Sequence, residues 1–508
     1  MNQSDIIEKI EFIQKFKTET VELETKKANV DFPKKCYDTV SSFSNKHGGI
    51  IIFGIDEDND FEITGVYDIN DLQKQISALC SDAMEPIVRP EFLPIEYKGK
   101  KILAVEIQEM LQNQKPCYYK PRGLIKGSYT RVGDRDEVMT NYEIYALQSY
   151  KDGIREDIRP NKRATVEDLN REDLEAFLKK VKEEKPNFSK SSEDKILKLC
   201  GITDNNDGNI YPTLAGTMVF GDNPQAYYPQ LFIACAVIPG TELGDVGEIG
   251  QRFDDNKRVE GTIEQMLEET LIFLRKNMKT KVIIDSKTGK REDIPEYPML
   301  ALREAIANAL IHRDYSLQTE NAFIEVYMYD DRIVIQNPGA LYGMNKIDKL
   351  GTDTIMESRN SMLVRILESK GSVIENRHSG IPTMRNEMRK MNLPEPEFIE
   401  ERGSFKVIFR NSNIDNIQVT DQVSGQVSDQ VGDQVENRTV NSLDFHKQRV
   451  KEFCIEPKSA KEINDYLGIS SRSYVRINII KPMIEEGILE YTNPQNITAS
   501  NQKYVVKK

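Results

Sequence analysis

The sequence predicts an α+β protein of several domains, and three observations predict it. Short apolar runs rich in β-branched residues and broken by glycine alternate with stretches of helical periodicity. At roughly 100 to 200 residues per domain, the 508 residues leave room for about three or four such units. The charge also changes sign along the chain. The whole carries a formal −13, from 69 Lys+Arg against 82 Asp+Glu, yet residues 446–508 hold 11 Lys+Arg against 7 Asp+Glu.

In chain order, the segment 1–150 opens with a helical pattern (Ile6, Ile7, Ile10, Ile13, Phe16). It continues with the strand-like runs GGIIIFGI (48–55), ILAVEI (102–107) and SYTRV (128–132), with helices expected at 33–46 and 69–84. Residues 151–200 form a helical connector, in which VEDLNREDLEAFLKKVKEE reads as an exposed amphipathic helix laced with i,i+4 ion pairs. The segment 201–412 supplies the strand-like TMVFG, LFIACAVI, FIEVYMY, RIVIQN and FKVIF, with helices at 260–277 and 299–311, so one sheet-and-helix sandwich is expected. Residues 413–445 carry QVTDQVSGQVSDQVGDQV, with Val419, Val423, Val427, Val431 and Val435 four apart, and read as a flexible linker. The remainder, 446–508, reads as a winged helix-turn-helix: a short helix, a turn at Gly468, and a second helix from Ser470 or Ser471 bearing Arg472, Tyr474 and Arg476. Those three side chains can face bases or phosphates, although a protein-contact module has the same outline.

The acidic balance excludes a surface built throughout to coat nucleic acid or an anionic membrane, so any DNA or RNA site is a local basic patch. No apolar run approaches the ~18 residues of a membrane span, which points to a cytoplasmic protein without a membrane partner. Six scattered cysteines without a CxxC pair fit reduced thiols, and four histidines lack ligand spacing. Any metal is therefore a hard ion held by carboxylates and phosphate oxygens, with Mg²⁺ the natural choice.

Within LREAIANALIHRDYS (302–316), Glu304 and Asn308 lie at i and i+4 and share one helix face. An amide oxygen suits a phosphate-bound Mg²⁺, and a carboxylate can orient or deprotonate a water attacking a γ-phosphate. Two polar residues on a solvent face would look the same. The strand RIVIQN then runs into NPGALYG (337–343), and RHSGIP (377–382) follows a helix-like stretch. These are two glycine turns at which backbone N–H groups can approach a base or a phosphate, with Asn337 at a strand end. His312, Arg313 and Asp314 form either a polar cluster near phosphates or a structural network closing the helix.

In the N-terminal unit, ETVELETK (19–26) places Glu22, Glu24 and Lys26 on one face of a strand, with Glu19 on the other unless a bend intervenes. Such carboxylates can hold a cation for phosphodiester cleavage or can line a solvated strand edge. Lys26, Lys120, Arg122, Lys126 and Arg131 are candidate phosphate contacts, with Tyr118, Tyr119 and Tyr129 either stacking on bases or filling a core.

The order E-x-x-x-N helix, N-P-G turn and S-G-I turn resembles the N, first-glycine and second-glycine boxes of the gyrase, histidine-kinase and MutL ATPase superfamily, whose fold is the Bergerat-like sandwich. More closely, REAIANALIHRDYS, QNPGALYG, HSGIP and the upstream TLAGTMVFGDNPQ look like the divergent ATP-binding domain of a bacterial regulator family once likened to RecG helicase. The resemblance implies ATP as cofactor with Mg²⁺ held through Asn308, Glu304 as the base, Asn337 at adenine, and Gly339, Ser379 and Gly380 bordering nucleotide and phosphates. The superfamily usually places Asp where this chain has Asn337. E-x-x-x-x-E-x-K followed by N-x-x-G-G-x-x-x-x-G-I-D, with KPCYYK and GSYTRVGD, looks like the Schlafen-type AlbA-like domain. There the nuclease members' acidic metal site would correspond to Glu19, Glu24 and Asp56. The Gln-Val repeats and the NQKYV ending resemble the same regulator family. Together these imply an ATP-binding, DNA-binding transcriptional regulator in which nucleotide modulates nucleic-acid engagement. The alternative is a Schlafen-like metal-dependent nuclease acting on RNA or DNA and gated by ATP. A homodimer is compatible with winged-helix half-site pairing, although no coiled-coil heptad supports one.

Overall fold

The computed structural model describes residues 1–206, 208–284, 291–354, 356–371, 373, 379–401, 403–411, 447, 449–451, 453–459, 462–463, 466, 479–485, 488–492 and 503–507. The chain divides into two compact units, Met1–Asn411 and Ser412–Lys508.

The N-terminal part of the first unit is built on a four-stranded sheet in the order Leu23–Lys26, Gly49–Phe53, Lys100–Ile107, Glu91–Tyr97. The first pair is parallel and the others are antiparallel. The run IIIF is buried on both faces and its side chains divide by parity, as a pleated strand requires. Ile52 packs under the Gln3–Phe16 helix with Ile6, Ile10 and Ile13. Ile51 and Phe53 point the other way, into a core with Val40, Phe43, Leu72 and Ile76 from the Cys36–Asn45 and Ile69–Ala78 helices. Both helices fall where the periodicity placed them.

The central part is a two-layer sandwich. Its six-stranded sheet runs Asp255–Val259, Ile233–Val237, Ile324–Met328, Arg332–Pro338, Ser404–Arg410, Glu397–Glu401. Ile233 and Cys235, Ile324 and Val326, Ile333 and Ile335, and Val407 and Phe409 alternate with more accessible residues and face one core. That core is covered by the helices Ile263–Asn277, Met299–His312, Ser361–Lys370 and Gly380–Lys390.

One element differs from its sequence reading. TMVFG belongs to a helix, Leu214–Phe220, not to a strand. Thr213 caps it by accepting from the Gly216 amide, and every residue of the helix is buried, so its apolar run lacks the polar face that marks an amphipathic helix. The connector helix, Arg171–Glu184, is amphipathic, and its apolar face is buried. Leu174, Phe177, Leu178 and Val181 join the central core with Ile196 and Leu197 of the following Glu193–Leu199 helix.

In the second unit, the strands Lys458–Ser459, Lys503–Val506 and Leu489–Tyr491 form a three-stranded sheet around Val450, Cys454, Ile480, Met483 and Tyr504. The Gln/Val repeat and Arg472, Tyr474 and Arg476 lie outside the described residues.

Candidate functional site

Asn337 follows Ile333 and Ile335 at the same parity, so the strand that feeds the core turns this amide inward, where it is 7% exposed. Its neighbours across the strand pair, Phe405 opposite Asn337 and Val407 opposite Ile335, form the floor of a cavity of about 270 Å³. The roof is the Met299–His312 helix. That helix is buried along most of its circumference, with Ala301, Leu302, Ala305, Ile306, Ala309 and Leu310 inside. Glu304 and Asn308 are half-buried residues opening into the cavity rather than members of a solvent face.

The Gly380–Lys390 helix closes over them. A Cβ on Gly380 would sit 2.9 Å from Glu304 Oε2 and 3.2 Å from Asn308 Nδ2, so a side chain there would intrude on the carboxylate and amide. Gly339, with φ +107°, turns the chain out of the strand, and a Cβ there would fall 2.6 Å from Asp314 Cβ. Glu304, Asn308, Asn337, Gly339, Ser379 and Gly380 all line this one cavity. Residues separated by as many as 76 positions thus converge on a single space.

Three of the lining residues each carry one buried polar atom without a hydrogen-bond partner in the protein: Asn337 Oδ1, Ser358 Oγ and Arg359 Nε. Ser358 and Arg359 were missed in the sequence, where ESRN offers no glycine signature and no periodicity. Arg359 is held by Asp314 at 2.6 Å and donates to the Ala340 carbonyl at 2.6 Å.

Asp314 ties this wall to the N-terminal part. Its Oδ2 accepts from Tyr142 Oη at 2.8 Å, from a helix (Asn141–Lys151) locked at its start by the Thr140/Glu143 capping box. Burial opposes ionisation of Asp314, but Arg359, the Ser316 amide and Tyr142 outweigh it and hold the carboxyl below its usual range. Burial, then Asp314, pushes Tyr142 up to about 12. Arg313 turns away from the cavity and donates to the Thr319 and Ala322 carbonyls, so it closes the helix end structurally. Burial lowers it to about 10.

The N-terminal carboxylates are arranged differently. Val21 and Glu22 form a turn before the Leu23–Lys26 strand, the bend that brings Glu19 back beside Glu24. Glu19 Oε1 accepts from the Thr25 amide at 2.6 Å and from its hydroxyl at 2.7 Å. Glu24 Oε2 lies 2.8 Å from Arg131, which also pairs with Asp136 at 3.0 Å and approaches Glu19 at 3.9 Å. Burial, followed by the charge of Glu24, raises Glu19 to about 8. Asp56 pairs separately with Lys27 at 2.6 Å. Among the described residues, no group of three or more Asp, Glu, His or Cys is placed to hold a metal ion.

Two of the candidate phosphate contacts are engaged within the protein. Arg131 is 3% exposed and neutralises internal acids, and Lys26 is an ion-pair partner of Glu24. Lys120, Arg122 and Lys126 remain exposed. Arg122 lies over the Tyr37 ring, which stacks on Tyr119 at 4.2 Å, while Tyr129 is buried and accepts from Arg122. The surface that remains is a cation-and-aromatic patch on the N-terminal sheet domain.

Family models match three segments of the chain. Residues 10–140 match the model described as "Schlafen, AlbA_2", residues 321–409 that described as "Putative ATP-dependent DNA helicase recG C-terminal", and residues 146–234 a "Domain of unknown function (DUF8451)". The chain therefore carries a Schlafen AlbA_2 domain and a RecG-like C-terminal ATPase-type domain. The second of these models contains Asn337, Gly339, Ser379 and Gly380 and begins after the Glu304/Asn308 helix.

Among solved structures, the chain is similar to the DIP2311 protein from Corynebacterium diphtheriae at 16% identity, covering 96% of this chain and 92% of that one, with a TM-score of 0.37. It is also similar to the N-terminal domain of a RecG-related protein from Nitrosomonas europaea at 27% identity, covering 28% of this chain and 97% of that one, with a TM-score of 0.22. Both superpose loosely. No curated protein matches the chain. No helix among the described residues is long and apolar enough to cross a membrane.

Proposed function

We propose that the chain is an ATP-binding, nucleic-acid-binding regulator in which nucleotide in the central cavity modulates how the N-terminal domain engages DNA. One observation carries this reading: Glu304, Asn308, Asn337, Gly339, Ser379 and Gly380 line a single cavity. At about 270 Å³ the cavity is close to the roughly 300 Å³ lower end of ordinary ligand pockets.

With Mg·ATP bound, Asn308 would supply a neutral oxygen to the metal. Glu304, one turn earlier, would orient or deprotonate a water. Gly380 keeps both side chains clear for phosphates.

The modulation is supported by the path from cavity to N-terminal domain. Arg359 and Asp314 border the nucleotide wall, and Tyr142 of the Asn141–Lys151 helix bonds directly to Asp314. A second tie runs from Tyr150 to Glu357 at 3.1 Å, and a third from Lys346 to Glu109 at 3.0 Å. The DNA-facing groups on this reading are Lys120 and Arg122 beside the Tyr37–Tyr119 stack, together with the C-terminal Arg472, Tyr474 and Arg476. Transcriptional regulation is the role that joins them.

The test is binding of labelled duplex DNA by the full chain with and without Mg·ATP, with cleavage of DNA and RNA followed in parallel. A nucleotide-dependent change in affinity with intact nucleic acid is the expected result. Cleavage that is lost on alanine substitution of Glu19, Glu24 and Asp56 would overturn the regulator reading in favour of a metal-dependent nuclease.

A further inference from the structure

A second and larger cavity, of about 920 Å³, opens between the N-terminal and central parts of the first unit, and Tyr342 and Arg359 belong to the walls of both cavities. Its volume falls within the roughly 300–1,000 Å³ of small-molecule sites, which favour domain junctions. One stretch of its wall is cationic. Lys46, His47 and Lys115 come from the N-terminal part and Lys346 from the central part. They gather around a single carboxylate: Glu109 Oε1 lies 2.8 Å from Lys115 Nζ, and its Oε2 lies 3.0 Å from Lys346 Nζ. Gly48, with φ +72°, folds the Lys46–His47 turn against the same place, since a Cβ there would fall 3.0 Å from the Glu109 amide nitrogen. Among the described residues Lys46 makes no ion pair, so three lysines share one glutamate. Lys115 is 4% exposed; burial lowers its pKa, Glu109 opposes that shift, and Lys346 and Lys46 are near enough to add to it.

The other acids on the lining are engaged elsewhere. Glu156 pairs with Arg159 at 3.2 Å, Asp314 with Arg359 at 2.6 Å, Asp348 with Lys349 at 3.2 Å and Glu401 with Lys406 at 2.7 Å. Glu143 and Glu400 accept from the Thr140 and Leu341 amides. Tyrosines supply an aromatic wall. Tyr142 and Tyr150 donate their hydroxyls to Asp314 and Glu357, and Tyr342 meets Tyr150 edge to face with ring centres 5.3 Å apart. All three line the cavity and are half-buried, and with its hydroxyl committed a tyrosine has ring surface left to offer a ligand.

We infer that this cavity binds a small phosphate ester bearing an aromatic ring, a nucleoside monophosphate in its simplest form, with the phosphate at Lys46, Lys115 and Lys346 and the ring among the tyrosines. A phosphate dianion supplies the negative charge that one glutamate cannot give three ammonium groups, and lysine serves phosphate well as a point charge. The ligand is distinct from Mg·ATP in the smaller cavity, and the inference stands whether or not that cavity holds nucleotide. Because its lysines come from both parts, the ligand would bridge them beside the Lys346–Glu109 pair.

The experiment is equilibrium dialysis of labelled AMP against the full chain without divalent cations, with inorganic phosphate as competitor, for wild type, Lys46→Ala and Lys346→Ala. Both lysines are exposed and neither lines the smaller cavity, so both variants should melt as wild type does. Wild type is expected to bind AMP about tenfold more tightly than inorganic phosphate, the worth of one base stacked on an aromatic ring. Each alanine is expected to weaken AMP about tenfold, the loss of one hydrogen bond to a charged group, while Lys46→Ala leaves Mg·ATP affinity unchanged. AMP affinity within twofold of wild type in both variants, or equal wild-type affinity for AMP and phosphate, overturns the inference. AMP and Mg·ATP weakened alike in Lys46→Ala would mean one shared site and overturns it as well. Loss of single-stranded DNA binding in Lys46→Ala, with no AMP bound by wild type, would give the lysines to a nucleic-acid strand and overturns the small ligand.

Discussion

The two polar centres of the first unit use similar side chains to opposite ends. In the N-terminal domain, Glu19, Glu24 and Asp136 are gathered around a buried Arg131, and Asp56 is paired with Lys27. Charge is cancelled within the protein. In the central domain, Glu304 and Asn308 line a cavity together with Asn337, Ser358 and Arg359. Burial alone therefore does not mark a binding site. Unpartnered buried atoms occur in both, Glu24 Oε2 and Arg131 Nε in the first and Asn337 Oδ1 in the second, so what distinguishes the second is the cavity of about 270 Å³ that its residues line.

That contrast can be broken most strongly at Arg131. Replacing it with alanine strands buried carboxylates without a counter-ion, so the N-terminal domain should lose about 3–5 kcal/mol in urea unfolding. An unchanged transition would mean the acids are not held by this cation and would reopen the cluster as a binding site.

A smaller effect is expected at Glu19. Its carboxyl is raised to about 8 in the fold against 4.5 for the free side chain. The folded state therefore holds the proton more tightly, a contribution fully present below about pH 4.5 and lost as pH rises through about 8. Glu19→Gln keeps an acceptor for Thr25 and should flatten this dependence, gaining about 2 kcal/mol over wild type at pH 9. Thermal melts from pH 5 to 9 with parallel curves for both proteins would contradict the assignment.

Tyr142→Phe removes one hydrogen bond to Asp314 and should cost about 1 kcal/mol. It should also reduce any effect of Mg·ATP on DNA affinity, measured by titration of labelled duplex. An undiminished effect would place the coupling elsewhere. Lys120→Ala with Arg122→Ala should leave stability within about 0.5 kcal/mol, since both side chains are exposed. The pair should lower the slope of log affinity against log salt by about 2, one for each phosphate contact. An unaltered slope would remove this patch from the interface.

Much of the central site was legible because its parts obey short-range rules. The i,i+4 spacing of Glu304 and Asn308, the parity that turns Asn337 inward after Ile333 and Ile335, and the glycines at 339 and 380 all follow from helix and strand geometry. Ser358 and Arg359 were not legible. Nothing local marks them, and Arg359 is placed by Asp314 and the Ala340 carbonyl, which reach it only through the fold. In the N-terminal domain the strands and helices followed from their apolar periodicity, whereas the burial of Arg131 among carboxylates was not legible. Its strand-like context in SYTRV gave no sign that Asp136, Glu19 and Glu24 would close around it. The buried helix Leu214–Phe220 was read as a strand for a related reason: a helix buried on all sides shows no amphipathic stripe, and only the Thr213 cap distinguishes it.

The central claim is that the cavity between the Met299–His312 helix and the Arg332–Pro338 strand holds Mg·ATP. Equilibrium binding of labelled ATP in the presence of Mg²⁺ to wild type and Asn308→Ala tests it most directly. Loss of a ligand to the metal should weaken binding by roughly 100-fold, with an unchanged melt showing that the fold persists. Equal binding by the two proteins, or none by wild type, would contradict the account.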